Sequence, residues 1–180
     1  MSEHFSISIV QDEYAPNPRD AFDNLSRFYC PSSSRYISGG TTDLEISELY
    51  DSDNLRREIR ALKRAGAVVV EFENPHIGTC YAVITREQVI NEYGDDSRTS
   101  LYHARQCAKG EIEEWLHFVN DEVYGYVITN DETGEEVSSC WGYYGYDYCM
   151  EEAKSISEYH EKKLAEENEQ INRRLREVAR

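Results

Sequence analysis

Cys140 is the residue whose surroundings most invite a chemical reading, because it stands in a strand-like run beside Trp141 and the chain offers His4, His76, His103, His117 and His160 as imidazoles. A thiol next to a histidine gives a thiolate able to do covalent chemistry, so a small thiol enzyme using Cys140 is one expectation. No glycine-rich elbow or oxyanion motif accompanies it, and a small buried thiol is the plainer expectation. The other cysteines, Cys30, Cys80, Cys107 and Cys149, complete an odd set without a CxxC pair, which predicts reduced thiols and neither a disulfide framework nor a cysteine zinc site.

Metal and phosphate chemistry find little to use. His103 and His117 share a helix but lie fourteen positions apart, and neither HExxH nor a calcium-loop spacing occurs. The run Asn130, Asp131, Glu132 with Glu135 and Glu136 could offer oxygens to a hard cation, although a solvated turn is expected. No GxGxxG or GxxxxGK[ST] is present. No cofactor or metal is therefore expected.

Charge is the strongest signal. The 180 residues carry a net charge of −16. Between 111 and 152 there is no Lys or Arg, while the acids are Glu111, Glu113, Glu114, Asp121, Glu122, Asp131, Glu132, Glu135, Glu136, Asp147, Glu151 and Glu152. Direct contact with a nucleic-acid backbone through this stretch is disfavoured, because phosphate binding needs cations. A basic surface is the matching partner, and acids arranged over an extended surface can imitate a phosphate backbone. Solubility alone is the alternative reading. Tyr124, Tyr126, Tyr143 and Tyr144 interleave with the acids and could anchor such a contact, with some of them needed in the core. Arg56, Arg57, Arg60, Lys63 and Arg64 form one basic helix face, expected to be solvated.

The elements that must position these residues read as α+β. Residues 5–10 alternate with period two and predict a strand; 20–29 reads as a short helix between loops at 14–19 and 30–42. A helix is expected over 52–65, opened by a cap at Thr42 or Asp43, then a hairpin from 67–73 and 79–84. Thr85 and Gln88 make a capping box for a helix ending at Gly94. Leu101, Ala104, Ala108, Ile112, Trp115, Leu116 and Val119 form the stripe of a core-facing helix. A second hairpin follows from 122–129 and 135–144, and a long helix occupies the remainder. Within it Leu164, Asn168, Ile171, Leu175 and Val178 recur at spacings of four and three, so they either form a dimer seam or pack on the parent domain. The expected organisation is one domain over 1–150, a small mainly antiparallel sheet of two hairpins plus the N-terminal strand packed with helices, and a charged helix over 151–180. No run of apolar residues is long enough to span a bilayer and residues 1–9 lack the parts of a secretory signal, so a cytoplasmic protein is expected.

Three groups of residues carry a family resemblance: Asn17-Pro18-Arg19-Asp20 with Asp23-Asn24-Leu25; the run from Thr85 to Gly94; and Asp121 to Ile128 followed by Cys140-Trp141-Gly142-Tyr143-Tyr144-Gly145. Together the chain resembles, from about 12 to 160, a family of small acidic accessory proteins of tailed phages and bacterial mobile elements. Two departures stand out: Asn74-Pro75-His76-Ile77-Gly78 replaces a Cys-Pro-Trp-Asp-Ser-Gly stretch, and Ser138 stands where an Asp is common. The resemblance implies a bacterial host and a setting rich in inhibitors of host defence. The leading expectation is an inhibitor that binds a host nucleic-acid-handling enzyme, a CRISPR effector or restriction system, by occupancy. A dimeric adaptor is the second.

Overall fold

The computed structural model describes residues 4–31, 52–75 and 78–178. The expected caps at Thr42 and Asp43, most of the 30–42 loop, and His76 lie outside the described residues. The α+β class is as read from the sequence. The elements are β1 (Phe5–Gln11), α1 (Pro18–Ala21), β2 (Arg27–Tyr29), α2 (Ser52–Arg64), β3 (Val68–Asn74), β4 (Gly78–Ile84), α3 (Arg86–Tyr93), α4 (Arg98–Val119), β5 (Val123–Asn130), β6 (Glu136–Tyr144) and α5 (Tyr146–Val178).

The chain does not divide near residue 150. It forms a terminal unit, 1–15 with 120–180, and a central unit, 16–119. The cause is a long-range pairing. β1 lies antiparallel to β5, with Phe5 opposite Asn130 and Gln11 opposite Tyr124, so the N-terminal strand joins the second hairpin and the intervening chain builds its own core. The two hairpins accordingly fall in separate sheets, β1-β5-β6 and β2-β4-β3, instead of sharing one.

In the central unit the sheet is covered on both faces. One face meets α3 and α4 through Phe28, Val68, Ala82, Ile84, Val89, Ala104, Ala108, Ile112 and Trp115. Phe28, Phe72 and Trp115 form a ring cluster there, with centroids 5.2, 5.3 and 6.0 Å apart. The other face meets Leu55 and Ile59 of α2 through Tyr29, Val69 and Val83. Thr85 caps α3 by accepting from Gln88 N while Gln88 accepts from Thr85 N, and Gly94 ends the helix at φ 87°.

The helix expected over 20–29 is absent. Asn17 caps a single turn from Pro18, Phe22 is already extended, and Arg27–Tyr29 pair with β4 instead. A three-residue strand whose partner lies more than fifty positions away leaves no local periodicity to detect.

In the terminal unit, α5 crosses one face of the sheet. Phe5, Tyr126, Ile128, Cys149 and Ala153 are its buried core, flanked by Ile7, Ile9, Tyr124, Tyr143, Ile156 and Leu164. On the opposite face Gly125 is required. A Cβ there would lie 2.3 Å from Trp141 Cε3, so the indole occupies the space a side chain would need. The ladder shifts register beside this contact, between Tyr124 and Tyr126. Among the described residues no helix is long and apolar enough to cross a membrane.

Candidate functional site

The twelve acids are divided between the two units. Glu111, Glu113 and Glu114 belong to α4 of the central unit, and the other nine belong to the terminal unit.

Glu111 is a correction to the expectation of an exposed partner-binding carboxylate. Its side chain is 10% exposed and pairs with Arg19, itself 11% exposed, at 3.1 Å. It also accepts from Leu25 N at 2.6 Å, from Ser26 N at 3.0 Å and from the Ser26 hydroxyl. Arg19 bonds Asn24 Oδ1 at 2.8 Å and lies 4.1 Å over the Phe28 ring. Glu111 therefore holds the 17–26 segment against α4. Burial lowers the pKa of the Arg19 guanidinium, and the Glu111 charge opposes that shift. Glu113 is exposed. Glu114 is half-buried, and its pKa is raised by burial first and by Glu111 and Glu113 next.

In the terminal unit the acids separate by strand end. Asp121 and Glu122 are exposed at the start of β5, where Asp121 adopts φ 58° and Glu122 O accepts from Gly145 N. Asp131, Glu132, Glu135 and Glu136 surround the β5–β6 turn at the other end of the strand. Eight residues of strand put the two groups roughly 23 Å apart or more.

The turn is built by Asn130. Its Oδ1 accepts from Glu132 N at 2.9 Å and Thr133 N at 3.1 Å, and Gly134 N donates to its carbonyl at 2.8 Å with φ 71°. All four carboxylates point into solvent. Glu136 accepts from the Ser139 hydroxyl at 2.6 Å, and Glu132 is 3.8 Å from His4 Nδ1. Among the described residues no Lys or Arg is paired with these four acids.

Three of the four tyrosines expected as anchors are turned inward. Tyr126 is buried at 4% exposure and packs on Tyr143 with centroids 5.7 Å apart; Tyr124 meets Tyr146 edge-on at 5.6 Å, and Tyr143 meets Tyr148 at 5.5 Å. Tyr144 is half-buried. Among the exposed aromatics of this unit are instead Tyr14, Trp141, Tyr146, Tyr148 and Tyr159. Strand alternation could have assigned Tyr124 and Tyr126 to one face, but only knowledge of where α5 lies makes that face the inner one.

Cys140 is exposed on β6, opposite Tyr126. The described histidines of its unit, His4 and His160, lie at the far end of the sheet: His160 is 5.7 Å from Phe5, which pairs with Asn130. Four ladder positions, about 13 Å, separate Asn130 from Tyr126. The terminal unit thus does not assemble a Cys140–histidine pair. Among the described residues no group of three or more His, Cys, Asp or Glu could hold a metal ion. Arg56, Arg57, Arg60, Lys63 and Arg64 are exposed on α2, as expected of a solvated basic face.

α5 starts beside Tyr124 and reaches the tip end of the sheet at Glu161, whose carboxylate accepts from His4 N at 2.8 Å. Leu164 is the last residue packed on the sheet. From Ala165 to Val178 every residue is exposed, including Ile171 at 53%, Leu175 at 62% and Val178 at 87%. These fourteen residues extend about 20 Å past the sheet. Compared with protein-family models, curated proteins and solved structures, the chain matches none.

Proposed function

We propose that this chain is a non-enzymatic inhibitor, encoded by a phage or mobile element, that docks an acidic turn onto the basic phosphate-binding surface of a host nucleic-acid-handling defence enzyme such as a CRISPR effector or restriction system. The supporting observation is the β5–β6 tip: Asp131, Glu132, Glu135 and Glu136 lie within six residues, all exposed. The contact is local, because Glu111 is committed to Arg19 and Asp121 and Glu122 lie at the opposite strand end. Few carboxylates on a stiff turn can enter a cationic groove without the ordering cost of a flexible tail. Capture from a bacterial lysate tests this. The retained partner should be eluted by duplex DNA and by raised salt, since both compete for the same cations. A partner that duplex DNA leaves in place contradicts the reading.

A second reading, a self-associating adaptor, is favoured by the exposed end of α5. Asn168, Ile171, Leu175 and Val178 continue the same helix face that Ala153, Ser157 and Leu164 turn to the sheet. A second copy packed on that face would meet the sheet if it ran parallel, so it must run antiparallel, with Ile171 of one copy against Leu175 of the other. Two heptads make this association weak. Sedimentation of the full chain tests it: mass should rise toward a dimer with concentration in the wild type and stay monomeric in Leu175→Asp. A wild-type mass that stays monomeric throughout removes the adaptor reading.

A further inference from the structure

β2 and β4 run antiparallel with Tyr29 opposite Tyr81, and the same register carried one residue past the end of β2 sets Cys30 opposite Cys80. Both side chains are completely buried, in the cluster that contains Phe28 and Ala82. Directly opposed residues of an antiparallel pair have Cα atoms about 4.5 or 5.5 Å apart and side chains on one face, and both spacings lie within the roughly 4.4–6.8 Å that a disulfide spans. The Cys80 thiol is 3.5 Å from Gly78 O. Its pKa is raised, first by a side-chain hydrogen bond with Cys30 and then by burial. Both are free thiols.

We infer that Cys30 and Cys80 are a latent cross-strand disulfide, a site of two-electron oxidation that ties strand β2 to strand β4. The pair belongs to the central unit and is independent of the acidic tip. β2 is three residues long and lies at the edge of its sheet; a short edge strand opens locally more easily than the strands behind it. Opening exposes Cys30 to a peroxide. The Cys30 thiolate attacks one peroxide oxygen and the O–O bond breaks, leaving a sulfenic acid and a hydroxide that takes up the thiol proton as water. Cys80, losing its proton, then attacks the sulfenic sulfur, the S–S bond forms and a second water departs. Two thiols and one hydrogen peroxide give one disulfide and two waters. In a reducing compartment the pair stays open, and the bond forms only under oxidant.

The link would close the chain between residues 30 and 80 and restrict the unfolded state, so the oxidised protein should be the more stable form. The test treats the full chain with hydrogen peroxide, blocks remaining thiols by alkylation in denaturant, and maps the unreduced peptides. The expected result is a cross-linked peptide joining Cys30 to Cys80, with a melting temperature raised by roughly 5 °C or more and restored by dithiothreitol. Cys140→Ser, which removes the exposed thiol, should keep both effects, whereas Cys30→Ala should lose both. Alkylation of Cys30 and Cys80 after Cys140 has been oxidised, or Cys30 recovered in a link to another cysteine, overturns the inference. Because the peptide map is read on wild-type protein, a Cys30→Ala chain that does not fold leaves the test intact.

Discussion

Glu111 and Arg19, ninety-two positions apart in sequence, form a 3.1 Å ion pair in which both side chains are about nine-tenths buried. An acid at the head of the most negative stretch is thereby used for folding. Its acceptor contacts with Arg19, Leu25 N, Ser26 and Cys107 replace the water lost on burial, so the pair is far more costly to break than a surface salt bridge.

Glu111→Gln or Arg19→Met should each lose about 3–5 kcal/mol of stability, because each leaves an uncompensated buried group. Glu113→Gln, at an exposed position of the same helix, should change stability by less than about 0.5 kcal/mol. Urea unfolding midpoints check all three. Equal small effects would mean that Glu111 is solvated after all.

Local signals in this sequence were sound where the structure is local. The Thr85–Gln88 box, the stripe from Leu101 to Val119 and the hairpin at 67–84 could be read because each is fixed by neighbours within a few residues. The pairing of Phe5 with Asn130 and of Arg27 with Val83 leaves no such mark, so neither the separation into two units nor the strand β2 is legible in the sequence. The candidate site suffered in the same way. Counting charges treated Glu111 and Glu132 alike, yet one faces Arg19 inside the central unit and the other faces solvent. Cys30 and Cys80 likewise look unrelated until β2 is laid against β4.

Two glycine substitutions should act in opposite directions. Gly125→Ala places a methyl 2.3 Å from the Trp141 ring and should destabilise by about 1–3 kcal/mol, part of which Trp141→Ala in the same chain returns. Gly110→Ala, inside α4 with nothing within 4 Å of the added carbon, should stabilise by up to about 1 kcal/mol through helix propensity. Thermal melts of the three variants decide it.

Stability should fall in alkali. Cys107 and Cys149 ordinarily ionise near 9.0 and are held up to about 11, Cys107 by burial and then by Glu111, Cys149 by burial and then by Cys140. Between those values the unfolded chain has released protons that the fold retains. Their contribution is therefore fully present below pH 9 and is lost as pH rises toward 11. Urea midpoints followed through this window should decline, and Cys107→Ser should make the decline shallower. An unchanged slope in that variant would show that its thiol does not contribute.

The acidic tip is tested most directly by moving the charge change while keeping its size. One chain carries Asp131→Lys, Glu132→Lys and Glu135→Lys at the turn; the other carries Glu151→Lys, Glu158→Lys and Glu166→Lys on exposed positions of α5. Both reverse three acids. In lysate capture at low and raised salt, the turn variant should lose the partner and the α5 variant should retain it with the wild-type salt dependence. Equal retention by both, or equal loss by both, would contradict docking through the β5–β6 turn.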